Sequence, residues 1–153
     1  MAKNFRVSRS TEIAAPAERI LPLLTDFREW RKWSPWEEAD PKLERTYEGP
    51  ASGVGAIYSW QGNSQAGAGR MEVLEADDSH VAIDQRFRAP MQAHNRIEFQ
   101  LTPAAGKTVV EWVMTGPQNL VMRIMSVFWK MEKMVGPDFE KGLAKLKTVA
   151  ETR

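Results

Sequence analysis

The side chains that most often move protons, attack carbonyls or hold metals are scarce in this chain and poorly placed. There is no cysteine among its 153 residues, which excludes thiolate nucleophiles, disulfides and cysteine-held metals. It has two histidines. His80 adjoins the turn Asp77-Asp78-Ser79, and His94 alternates onto the solvated face of a strand, as do Glu98 and Glu111. General acid–base chemistry needs titratable groups inside a pocket. The polar residues that parity turns inward are instead Tyr47, Tyr58, Gln85, Asn95 and Arg45. Of these, Tyr58, Arg45 and Asn95 are the catalytic candidates, since a phenol, a guanidinium or an amide can polarise a ligand carbonyl or carboxylate. That is a binding role before it is a catalytic one, and for Tyr58 and Asn95 a core residue bonded to backbone is the competing reading. No HExxH, Cys/His cluster or acidic loop offers a metal site. Gly53-Val54-Gly55 and the stretch from Gly62 to Gly69 lack the Gly-Lys-Ser/Thr ending of a phosphate loop, so both are expected to be hairpin turns. Nothing calls for a metal or a cofactor.

Six tryptophans and eight methionines are the unusual entry in the composition. Trp60, Met71, Phe87, Phe99, Trp112 and Met114 alternate onto one face of successive strands. Met122, Met125, Phe128, Met131 and Phe139 fall where a C-terminal helix would face them. Methionine tolerates irregular shapes, and tryptophan combines a large apolar face with one N–H donor. The mixture suits a pocket that orients an aromatic or alkyl ligand with few polar contacts. It would serve equally as plain core, and both readings stand. Trp30, Trp33 and Trp36 recur every three residues and share roughly one face. They would either gate the mouth of a pocket or plug the end of the sheet. The expected ligand-binding set is Trp33, Trp36, Tyr58, Trp60, Met71, Phe87, Phe99, Trp112, Met114, Phe128, Met131 and Phe139.

The elements that must position these residues follow from period and punctuation. Residues 5–13 read as a strand. Pro16 is expected at the first position of a short helix, with Glu18 in its first turn and Ile20, Leu21, Leu23 and Leu24 partly buried. Asp26 and Glu29 have capping-box spacing for a second helix through Trp33, which Ser34-Pro35 ends. Alternation then predicts strands over 43–47, 56–60, 67–76, 80–88, 92–101 and 107–115, separated by short turns and therefore antiparallel neighbours. After Gly116-Pro117 the apolar period becomes helical. Phe128, Val135, Gly142 and Val149 fall seven apart, with Phe139, Leu143 and Leu146 in the same stripe. Pro137 leaves that phase unchanged, which predicts a kinked helix or two helices nearly in line. A sheet with one apolar face needs a cover, and only the last helix is long enough to supply it. The fold class is therefore α+β, a curved antiparallel sheet of six to seven strands around a long helix, with residues 1–153 forming one domain.

That order of elements resembles the helix-grip fold of the START-like superfamily, and most closely its bacterial polyketide cyclase/dehydrase-like (SRPBCC) members. The stretches that carry the resemblance are Ile13-Ala14-Ala15-Pro16-Ala17-Glu18-Arg19-Ile20, Trp30-Arg31-Lys32-Trp33-Ser34-Pro35-Trp36, and Asp138-Phe139-Glu140-Lys141-Gly142-Leu143-Ala144-Lys145-Leu146-Lys147. The resemblance implies an internal cavity for lipids, sterols, aromatic polyketides or hormone-like molecules, in a family of which only some members are enzymes. It supplies no shared catalytic set to transfer onto these positions.

Charge narrows the partners. With 21 basic and 20 acidic residues the formal charge is +1, and no block of like charge marks a nucleic-acid surface. No apolar run approaches the length of a membrane span, and the N-terminus carries no signal-like apolar core, so the cytoplasm is the expected compartment. Three functions fit. The first is binding of a small hydrophobic or aromatic molecule. The second is a metal-free cyclase or dehydratase using Tyr58, Arg45 or Asn95. The third is a co-chaperone-like interaction module with an exposed patch around residues 121–129, through which the sequence also allows a homodimer.

Overall fold

The computed structural model describes residues 4–34, 42–63, 67–89, 93–117 and 127–152, with side chains of the last segment described from Gly136 onward. Strand β1 (Asn4–Ile13) leads into helix α1 (Ala17–Thr25) and a 3-10 helix (Glu29–Lys32). Six strands follow: β2 (Glu44–Glu48), β3 (Ile57–Gln61), β4 (Ala68–Ala76), β5 (His80–Ala89), β6 (Ala93–Ala104) and β7 (Lys107–Pro117). Helix α2 (Val127–Glu151) closes the described chain. It runs through Pro137 as one helix.

The sheet order is β1-β7-β6-β5-β4-β3-β2, antiparallel throughout. From β2 to β7 it is a meander of neighbours, as the short turns require. The tightest turn, Ala105-Gly106, has φ of 51° and 83° at its two residues, the mirror-image geometry that matches strand twist. Its shortness lets β6 run on through Pro103, a residue expected in the turn. Only β1 reaches its partner from far along the chain. Register shifts between β4 and β5 at Ala68/Gly69 and Val73/Glu75 are irregularities of the kind that bend a strand and raise local twist.

Two local expectations are corrected. Pro16 is the residue before α1 rather than its first residue: it is extended (φ −73°, ψ 155°) and its carbonyl accepts from Arg19 N–H at 3.0 Å. The Asp26/Glu29 pair forms no capping box. Asp26 Oδ1 accepts from Arg28 N–H at 3.0 Å in a local turn, and a 3-10 helix follows. The three-residue tryptophan spacing suits that helix better, because i and i+3 eclipse at three residues per turn. Trp30 and Trp33 therefore lie ring to ring at 4.6 Å.

Helix α2 is fastened along β1. Arg9 Nε pairs with Glu140 at 3.1 Å, Lys147 Nζ donates to Glu12 O at 3.1 Å, and Glu151 accepts from Ala14 N–H at 2.8 Å. Its own Phe139, Leu143, Leu146 and Ala150 are buried. Among the described residues no helix is long and apolar enough to cross a membrane.

Candidate functional site

Strand register sorts the concave face into transverse rows. One row crosses Arg45, Trp60, Gly69 and Phe87, on β2 to β5. The next crosses Tyr47, Tyr58, Met71, Gln85 and Asn95, on β2 to β6. A wholly apolar row follows: Val73, Ile83, Ile97, Met114 and Val7. Beyond it lie Val81, Phe99, Trp112 and Arg9. The apolar row divides the face into two halves of different chemistry.

The half beyond Met114 is filled with rings. Trp112 stacks on Phe139 with centroids 4.0 Å apart and planes 5° apart, and Phe99 stacks against Trp112 at 5.3 Å. Trp33 meets both edge-on, at 5.4 and 6.0 Å. Offset and edge-on packing of this kind adds to the burial term. The two indoles of the 3-10 helix are held by backbone. Trp30 Nε1 donates to Leu24 O at 3.0 Å, and Trp33 Nε1 to Leu23 O at 2.9 Å. Those carbonyls belong to the last turn of α1, where helical partners run out. Phe139, Trp33, Phe99 and Trp112 are fully buried and occupied with one another.

The other half mixes rings with polar groups. Tyr58 lies between Tyr47 at 5.4 Å, Trp60 at 5.8 Å and Phe27 at 5.9 Å. Phe87 meets Trp60 edge-on at 5.5 Å. The Arg28 guanidinium covers the Tyr47 ring at 4.6 Å, a cation–π contact. Gly69 makes room for the indole: a Cβ there would lie 2.8 Å from Trp60 Cη2 and 2.4 Å from Arg86 O. Arg45 is half-buried at the sheet edge, with Nη1 3.4 Å from Leu43 O.

In the centre of this half Met71, Gln85 and Asn95 touch in line. Asn95 Nδ2 donates to Gln85 Oε1 at 3.3 Å, and Gln85 Nε2 donates to Met71 Sδ at 3.8 Å. Gln85 and Asn95 are 4% and 7% exposed, so an amide pair lies almost wholly out of water on an oily face. Asn95 also borders a surface depression of about 290 Å³ shared with His94, Arg96 and Thr115.

Sequence reasoning named Asn95 and Met71 but left Gln85 out of the site set. The signal for it lay in register, because Gln85 faces both residues only once β4, β5 and β6 are aligned. Trp30 and Phe27 were likewise left out; both are buried parts of the aromatic packing. Trp36 lies outside the described residues, as do Met122 and Met125 and the side chains of Phe128 and Met131. The exposed patch expected around residues 121–129 lies largely there too.

The histidines face away from all of this. His80 Nε2 pairs with Glu98 at 2.9 Å, and His94 Nε2 with Asp84, on the convex face. Partial burial raises the Asp84 carboxyl, yet bonds from His94 and Arg86 outweigh it and hold the group below its ordinary value. Among the described residues no three acidic or imidazole groups converge as metal ligands would. The two mixed rows contain no carboxylate and no imidazole. Their polar inventory is two phenols, a guanidinium and two amides.

A curved antiparallel sheet gripping one long C-terminal helix, with short helices after the first strand, is the helix-grip fold of the START-like superfamily. Within that class, the chain belongs to the polyketide cyclase / dehydrase and lipid transport family, whose profile matches residues 4–151. Solved structures share the fold at low identity. The di-domain ARO/CYC StfQ of the steffimycin biosynthetic pathway superposes with a TM-score of 0.74 at 11% identity, over 98% of this chain and 51% of that one. This chain thus spans about half of StfQ. Ara h 8.0201 gives 0.66 at 11% identity, covering 99% of this chain and 100% of that one. The Aha1 dimer of Colwellia psychrerythraea gives 0.54 at 19%, covering 90% and 96%. No curated protein matches the chain.

Proposed function

We propose that this protein binds one small, largely apolar molecule with a flat ring system, held against the mixed half of the concave face. The carrying observation is the contrast within one sheet. Beyond Met114 the rings are consumed by each other and by α2, whereas the rows through Trp60 and Tyr58 pair large flat faces with buried amides. Burying about 300 Å² of ligand surface contributes roughly 7 kcal/mol, and association costs several kcal/mol of that. One or two polar contacts then suffice for micromolar affinity. Binding is favoured over turnover because the two rows offer no carboxylate or imidazole to move a proton.

A thermal-shift and native mass spectrometry screen against fatty acids, flavonoids and polycyclic ketones tests this. The expected result is a one-to-one adduct with a flat aromatic class, weakened about ten-fold by Trp60→Ala. Absence of stabilisation by every class would overturn the reading.

A further inference from the structure

The Asn95–Gln85–Met71 line has a direction that chemistry fixes. A thioether sulfur has lone pairs and no hydrogen, so the group facing Met71 Sδ must be the amino end of Gln85. Its carbonyl end therefore faces Asn95, which must donate, as the 3.3 Å contact to Gln85 Oε1 shows. The donors run from β6 toward β4 and the tyrosines, and the last donor ends on a sulfur 3.8 Å away. Thioether sulfur is a weak acceptor. Among the described residues that sulfur is its one acceptor, and a buried amide N–H held so weakly keeps much of its desolvation cost. The rings beside it, Tyr58 and Trp60, supply flat faces in adjoining positions of the same two rows.

We propose that Gln85 is the specificity-determining residue of the ligand site: its Nε2–H donates to an acceptor oxygen on the ligand, and Met71 Sδ holds that donor's place when no ligand is bound. The ligand class is an aromatic ring system bearing a carbonyl or ether oxygen at the level of Met71. This rests on the binding reading above and adds to it which atom is recognised.

The test uses a shape-matched pair, 9-fluorenone and fluorene, which differ at one ring position as carbonyl against methylene. Dissociation constants are measured by fluorescence quenching or calorimetry on the full chain. The wild type is expected to bind the ketone about five-fold tighter, the size of one net neutral hydrogen bond. Gln85→Met, close in shape and without the donor, should erase the difference while leaving fluorene affinity within about two-fold. Met71→Leu removes the competing sulfur and should widen the difference, an opposite shift that a purely structural role for Gln85 would not produce. Equal affinities in the wild type, or a preference that survives Gln85→Met, overturn the proposal and leave the binding site standing. Failure of both probes to bind overturns the proposal, and the reading on which it rests falls with it only if every class in the screen also fails to stabilise the protein. Should Gln85→Met not fold, the Met71→Leu result decides alone: an unchanged or narrowed preference overturns the assignment.

Discussion

The two halves of the concave face use the same residue types for opposite ends. Around Trp112 every ring has a ring for a neighbour, each indole of the 3-10 helix finds a backbone carbonyl, and α2 lays Phe139 flat on the sheet. Around Tyr58 the rings line a surface whose centre is a pair of amides ending on a sulfur. Aromatic richness alone therefore does not mark a binding site. What separates the halves is the chemistry placed among the rings: two 3-10-helix indoles bonded to α1 carbonyls on one side, a weakly satisfied amide donor on the other.

The contrast can be broken most forcefully at its filled half. Trp112→Ala removes the ring between Phe139 and Phe99 and should cost about 3–5 kcal/mol in urea unfolding. Tyr47→Phe, in the mixed half, should cost far less. Comparable losses at both would erase the distinction. Gly69→Ala comes next, since a Cβ 2.4 Å from Arg86 O cannot be absorbed by a side-chain swing. It should destabilise by about 1–3 kcal/mol and, by displacing Trp60, weaken any flat ligand, as binding titrations would show. Trp33→Phe keeps an aromatic ring, smaller than the indole, and deletes the N–H to Leu23 O. It should cost about 1–2 kcal/mol without altering ligand affinity, because Trp33 belongs to the filled half.

Smaller still is the effect of acid. Asp84 is pushed up by partial burial, but His94 and Arg86 bonds leave it below its ordinary 3.8. Glu151 is held below its ordinary 4.5 by the Ala14 N–H and Lys147. A carboxyl lowered on folding contributes stability that is present above its unfolded value and lost as pH falls through the folded one. Stability should thus decline below about pH 4.5. Glu151→Gln should flatten part of that decline, checked by urea midpoints at successive pH values.

Much of the fold was legible because local rules carry it. Alternation in residues such as Ile97, Phe99 and Leu101 gives a face, and short turns make a meander of β2 to β7. Asn95 and Gln85 were placed inward by parity alone, and both are buried. What parity could not supply was register. The irregularities beside Gly69 and Val73 shift the pairing of β4 with β5, so Gln85 meets Met71 only in three dimensions. Trp33 was hard to place for a related reason. Its spacing was visible, but the direction of its indole depends on a 3-10 helix and on carbonyls of α1. Which half α2 fills depends on where Phe139 lands, a contact across 27 residues from Trp112 that no period encodes.

The central claim is that ligand binds the mixed half and leaves the filled half alone. Carbon-13 methyl labelling of methionine, combined with indole N–H spectra, reads both at once during a titration with 9-fluorenone. The Met71 methyl signal, assigned through Met71→Leu, should shift with saturation while the Trp33 and Trp112 indole signals hold still. Movement of those two indoles with an unmoved Met71 would contradict the account.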